Sequence, residues 1–201
     1  MKKYELLEDD TVEADGRVLY RIRALRDLPG VRAGDKGGYI ESEKNLSQNG
    51  NCWVLVNAWV YENAIVFWDA RIYGNARVFG NSQIYGNARV YGHAQVYENA
   101  QVYENAGVSG KARICGGALV YGDSLVSGYA LVAGFARVYG SAQVSEDAQV
   151  FDNAHVFGDS WVHGHSKIYG YAQVYGDVQV YGDSEVYGDA KVYDIQNGDL
   201  L

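Results

Sequence analysis

The chain has 201 residues, 48% of them hydrophobic, and a formal net charge of −8. That length bounds it to one domain. No apolar run approaches the roughly 18 residues a membrane-spanning helix needs, and the acid excess argues against nucleic acid as a ligand.

Residues 1–35 are out of step with everything after them. Met1 to Glu5 carries no apolar leader. Asp15-Gly16 between Val12 and Val18 predicts a hairpin turn. Val18, Tyr20, Ile22 and Ala24 then alternate with Leu19, Arg21, Arg23 and Leu25 at strand spacing, until Leu28-Pro29-Gly30 ends the element. Residues 36–53, with Gly37-Gly38-Tyr39-Ile40 and Leu46, predict an irregular first coil. A solenoid end exposes core and open backbone edges, so residues 1–35 are expected to cap it. Outward Trp53 and Trp59, with Trp68 nearby, are the expected packing surface.

From Val54 to Val192 every sixth residue is Val or Ile, giving 24 consecutive hexads without an insertion. A small residue such as Ala58, Ala76 or Ser82 stands two places before each aliphatic, with Cys52 at the start and Val178 the large exception. Small-x-aliphatic puts two side chains on one side of an extended segment. The other three residues must turn the chain. So short a period, with a glycine in nearly every unit, excludes coiled coil and α-helix and predicts a solenoid. Two places after the aliphatic the residue is usually Gly, as at Gly74, Gly86 and Gly122. Where it is Glu62, Trp68, Glu98, Glu104, Glu146 or Asp152, the next residue is Asn or Asp. Gly, Asn and Asp tolerate positive φ, so each corner is expected to place such a residue at one of these two positions.

This repeat resembles the hexapeptide-repeat, left-handed parallel β-helix family, and most of all the tandem Asn-Ala-x-Val-Tyr-Gly proteins of bacteria and their phages. The resemblance implies an all-β, single-stranded left-handed parallel β-helix: a triangular solenoid with three hexads per coil, about 8 regular coils, and here an N-terminal β-hairpin cap. The hand comes from the resemblance, not from the period. The family commonly has Gly directly after the aliphatic, whereas this chain has Tyr73, Phe79, Tyr85 and Tyr91. The expected organisation is a cap over 1–35, an irregular coil over 36–53, the regular solenoid over 54–193 and a short tail over 194–201. On this winding Cys52 and Cys115 are too far apart to bridge. Two free thiols favour a reducing, cytoplasmic compartment.

Three hexads per coil put residues eighteen apart above one another. One edge then carries an unbroken file of rings: Phe67, Tyr85, Tyr103, Tyr121, Tyr139, Phe157, Tyr175 and Tyr193. The other two edges are interrupted by Ser109, Ser127 and Ser145, and by Cys115 and Ala133. At that level Leu119, Leu125 and Leu131 face outward, with Tyr129 and Phe135 in corners. Together these predict a flat apolar patch for a partner. The family often forms trimers along such faces, so a dimer or trimer of this chain is the first expectation and a ligand groove the second. Charge is uneven: residues 51–138 carry six basic and five acidic side chains, residues 139–201 two and ten.

Candidate chemistry is sparse. Asp147, His165 and Asp183 share one corner ladder with His163 two residues away, a weak metal candidate. Arg71 and Arg89 stack as an anion candidate beside the solvated-surface reading. The sequence offers no phosphate-binding glycine motif, nucleophile elbow or metal-type cysteine spacing. No catalytic residue, cofactor or membrane contact is expected. The family's acyltransferases add a protruding loop and a histidine at a subunit boundary, and no loop interrupts this register. The expected function is a non-enzymatic binding or scaffold solenoid that self-associates, presents ring and polar ladders to a protein partner and is phage-related. The alternatives are an acyltransferase-like trimer and an acidic decoy inhibitor of a host nucleic-acid-binding protein.

Overall fold

The computed structural model describes residues 2–194, so most of the 194–201 tail lies outside the described residues. The protein is all-β: three stacked sheets of eleven, eight and eight strands form a parallel β-solenoid. Strands follow the sequence period. Val60 pairs with Val78, Val78 with Val96 and Val96 with Ile114, each eighteen residues on. Three hexads therefore close one coil. No α-helix occurs among the described residues, and no helix there is long and apolar enough to cross a membrane.

The core is one column. The aliphatic and the small residue of the hexads from Val54 to Val174 are buried, as at Val90, Ala94, Ile114 and Ala118. Small residues are required because three sides converge on a narrow axis. Serine fits there because its hydroxyl finds a local carbonyl: Ser82, Ser124 and Ser160 donate to Phe79, Tyr121 and Phe157 at 2.8–2.9 Å. A buried hydroxyl so paired costs little. Near the distal end of the described residues Val186 and Val192 are only partly buried.

The corners correct one expectation. Positive φ falls two places after the aliphatic in both corner types, and the following Asn or Asp never carries it. Glu62, Trp68, Glu98, Glu104, Glu146 and Asp152 hold φ of 57–59°, and so does β-branched Val56 at 55°. Two features make this tolerable. Each of these seven is followed eighteen residues on by glycine, so the facing corner adds no side chain of its own. The five acids also put a carboxylate oxygen on that glycine's N–H, at 2.6–3.2 Å. The Asn residues do a different job: Asn63–Asn81–Asn99 and Asn87–Asn105–Asp123 form side-chain amide ladders at 2.9–3.1 Å.

The N-terminus forms a hairpin of β1 (Tyr4–Ala14) and β2 (Arg17–Ala24), turning at Asp15-Gly16 with φ 51° and 75°. β2 pairs antiparallel with β3 (Lys36–Ile40), and β3 pairs parallel with Trp59–Val60. The hairpin thus extends one face of the solenoid, called here the capped face. Its two sides bury different surfaces. Ile22, Ala24 and Tyr4 join the main core, while Leu19 and Ala14 cover Tyr39 and Tyr61. Trp53 is fully buried edge-on to Tyr4 rather than outward, and Trp59 is half-buried beside the Leu19 cluster. Trp68 is not part of the cap. It is 60% exposed and meets Phe67 and Tyr85 edge-on.

The corner geometry gives a paired stability test. At Gly128 (φ +67°) an added Cβ would lie 2.6 Å from the Glu146 backbone nitrogen. Gly128→Ala should therefore cost about 1–3 kcal/mol. Val56→Gly relieves a left-handed β-branched residue and should gain about 1 kcal/mol. Urea denaturation of the two variants against the parent decides both signs.

Candidate functional site

The eight predicted rings form one file on the face that begins at Ile65–Val66, called here the ring face. Consecutive centroids lie 4.8–5.0 Å apart with interplanar angles of 2–12°. The spacing is the coil rise itself, in the range of offset stacking, where a pair contributes about 0.5–1.5 kcal/mol. His155 lies outward on this face, edge-on to Tyr139 at 6.1 Å. Burial, then the Arg137 guanidinium, holds its imidazole below the usual value.

The predicted apolar patch does not form as one surface. Consecutive hexads belong to different faces, so Leu119, Leu125 and Leu131 point from three different sheets and girdle the rod. Five residues do converge on the capped face. Tyr129, Leu131, Ala133 and Phe135 alternate outward along one coil, with Cys115 on the coil before. Tyr129 and Phe135 are 59% and 69% exposed. Phe135 lies over Gly117, where an added Cβ would meet the ring at 2.9 Å. Phe151 flanks the row on the coil after, stacked on Tyr169 at 5.0 Å.

The third face, which begins at Trp53–Val54, holds Ser109, Ser127 and Ser145 where the ring face has rings. Beyond the serines, Trp161 donates its indole N–H to Ser145 Oγ at 3.0 Å and stacks on His163 at 4.2 Å. His163 Nδ1 is 3.9 Å from a Glu146 carboxylate oxygen, and its Nε2 is buried without a hydrogen-bond partner. His165 Nδ1 lies 3.9 Å from Asp147, as the corner ladder predicts, but its side chain is 72% exposed. The His163 side chain, two residues away, is only 19% exposed. Among the described residues no three His, Cys, Asp or Glu side chains converge to metal-holding distance. Arg71 and Arg89 pair in register, but Arg71 donates to the Pro29 carbonyl at 2.7 Å and so fastens the cap.

Two features were not legible in the sequence. Lys3 is fully buried under the first coil, donating to the Cys52 carbonyl at 2.9 Å and meeting Cys52 Sγ at 3.1 Å. Burial pushes the Lys3 ammonium down and the Cys52 thiol up. Cys52 and Cys115 are both free thiols. The second feature is a groove of about 610 Å³ on the capped face, where Val12 of the hairpin overhangs Trp59, Arg77 and Gln95, with Asn75 and His93 as a polar rim. Arg77 stacks over the Trp59 ring at 4.5 Å. Among the described residues it has no carboxylate within ion-pair distance.

Comparison with known proteins agrees with the fold. Residues 70–83, 82–98 and 148–164 match the YdcK Beta solenoid repeat family. The curated protein "Uncharacterized acetyltransferase YdcK" of Escherichia coli (strain K12) is 39% identical over 61 residues, covering 27% of this chain and 19% of that protein. The chain thus matches about a fifth of that relative's length. The repeats are those of a hexapeptide-repeat-like β-helix.

The ring file carries a pH signature. Burial, and then neighbouring phenols, raise Tyr103 to about 12, and burial also raises Tyr85, Tyr121 and Tyr139. Such phenols stay protonated in the fold where the unfolded chain has begun to ionise. Their contribution is complete below pH about 10 and is lost as pH rises toward the folded values. Tyrosinate absorbance should show a late component that Tyr103→Phe reduces, with stability falling above pH about 10.

Proposed function

We propose that this hexapeptide-repeat-like β-solenoid is a non-enzymatic scaffold: a stiff rod that self-associates and presents ring and polar ladders to a protein partner. The observation that carries this reading is the unbroken register of coil upon coil from Trp53 to Tyr193. Every outward side chain sits at a fixed rise along a fixed face, which suits multivalent display. The histidines do not gather: His155, His163 and His93 lie on the ring face, the third face and a corner of the capped face. A phage-related setting and a cytoplasmic location belong to this proposal, and a decoy use of the acidic distal half stands as an alternative to it.

One observation favours a second reading. The relative from E. coli is called an acetyltransferase, and an acyltransferase-like assembly would build its cleft between subunits. There His155 or His163 would act as the base, since each is an imidazole held partly out of water.

Two measurements separate these readings. Light scattering behind size exclusion should give a mass of more than one chain, and a strict monomer counts against self-association. Isothermal titration with acetyl-CoA should show no saturable heat. Saturable binding that His155→Ala or His163→Ala abolishes would replace the scaffold reading with the enzymatic one.

A further inference from the structure

The capped face is graded along the rod. Its proximal coils carry the exposed cations Arg77, Lys111 and Arg113, and its middle coil is the apolar row Tyr129-Leu131-Ala133-Phe135. Its distal coils carry Asp147, Asp183, Glu185 and Asp189, against Lys167 alone. Lys167 is already paired with Glu185 at 3.1 Å. Cation, apolar and anion segments in that order are self-complementary when one rod is reversed against another.

We propose that two copies of this chain pack through their capped faces as an antiparallel dimer, with a two-fold axis running along the strand of Leu131. This deepens the self-association of the scaffold reading and rests on it. The axis keeps each corner on its own side and sets each coil above Leu131 against the coil equally far below. Leu131, Ala133, Tyr129 and Phe135 then meet their own copies. One coil out, Lys111 opposes Asp147 and the small Cys115 opposes Phe151. Three coils out, Arg77 opposes Glu185 and Asn75 opposes Asp183. The remaining pairs are uncharged or singly charged: Arg113 with Gln149, Gln95 with Lys167 and His93 with His165.

The groove under Val12 fits this arrangement independently. Its lining residues Asn75 and Arg77 lie at the level of the partner's Asp183 and Glu185, and His93 and Gln95 at that of the partner's His165 and Lys167. It supplies a guanidinium with no ion pair of its own among the described residues, which would share the Glu185 carboxylate with the partner's Lys167. Parallel rods would instead lay acidic distal half on acidic distal half, with Asp183 near the partner's Asp189. Seven coils about 4.8 Å apart and a side of about five extended residues give roughly 34 by 16 Å. Two such faces bury about 1,100 Å², at the lower edge of specific interfaces.

The test uses the full chain and charge reversal, read by sedimentation velocity. The parent should run as a two-chain species. Lys111→Glu places acid against acid, and Asp147→Lys places cation against cation, so each alone should weaken the dimer about tenfold or more. Mixing the two single variants should restore it, because both contacts in the mixed dimer are attractive. Within one chain these side chains lie two coils apart, about 10 Å, so the rescue can only be between chains. Both residues are exposed, and unchanged circular dichroism confirms that each variant folds. A parent monomer overturns this geometry and the self-association together. A dimer or trimer that the mixture does not rescue overturns the antiparallel geometry alone.

Discussion

One constraint governs this molecule: each coil must present its backbone to the next at a single spacing. Outward residues donate their N–H to a carbonyl about seventeen residues on, as Arg77 does to Ala94 and Gln95 to Ala112, both at 2.9 Å. That ladder works only if all three corners turn within the same plane. A left-handed residue two places after each aliphatic provides the turn, and glycine supplies it cheaply. At five of the seven corners that lack glycine, an acidic side chain accepts from the N–H of the glycine above. The rise is thereby fixed, and everything on the surface inherits it.

Inherited spacing makes like stack on like. Rings meet rings at 4.8–5.0 Å on the ring face, and amides meet amides at the corners. The same rule makes stacked charges unfavourable, which favours alternation of Arg with Gln, as in Arg77, Gln95 and Arg113. Arg71 above Arg89 breaks the rule, and there the Pro29 carbonyl takes up one guanidinium. Three faces built from one hexad therefore diverge in character. One is a continuous aromatic file, one a serine gap closed by Trp161 and His163, and one a graded face that begins under the hairpin.

The hairpin gives the rod its polarity. Its sheet hydrogen-bonds directly onto the first coil, and its two sides serve the core and the Tyr39–Tyr61 surface at once. Lys3 lies beneath that first coil, bonded to Cys52, and Asn45 donates to the Glu62 and Ala64 carbonyls. Backbone groups that would end unpaired at this edge thus find partners. The same overhang shapes the groove above Trp59 and Arg77, so cap and groove are one construction.

The hexad period determined the solenoid and its Val and Ala column, Asp15-Gly16 determined the hairpin turn, and the three-hexad coil implied by the family resemblance placed the ring file. The first two follow from local periodicity or from a single turn chemistry, and periodicity survives folding. The sequence also marked the corners as needing Gly, Asn or Asp, but put the strain on the wrong residue. Both positions are polar and adjacent, and only the backbone shows which is left-handed. Tertiary structure decided what depends on which face a hexad joins. Leu119, Leu125 and Leu131 read alike in sequence, yet a third of a turn separates each from the next, so one patch became a girdle. The buried Lys3, the inward Trp53 and the groove under Val12 depend on how an aperiodic segment folds back over a periodic one. No spacing in the chain encodes that contact, because it joins residues whose separation belongs to no repeat.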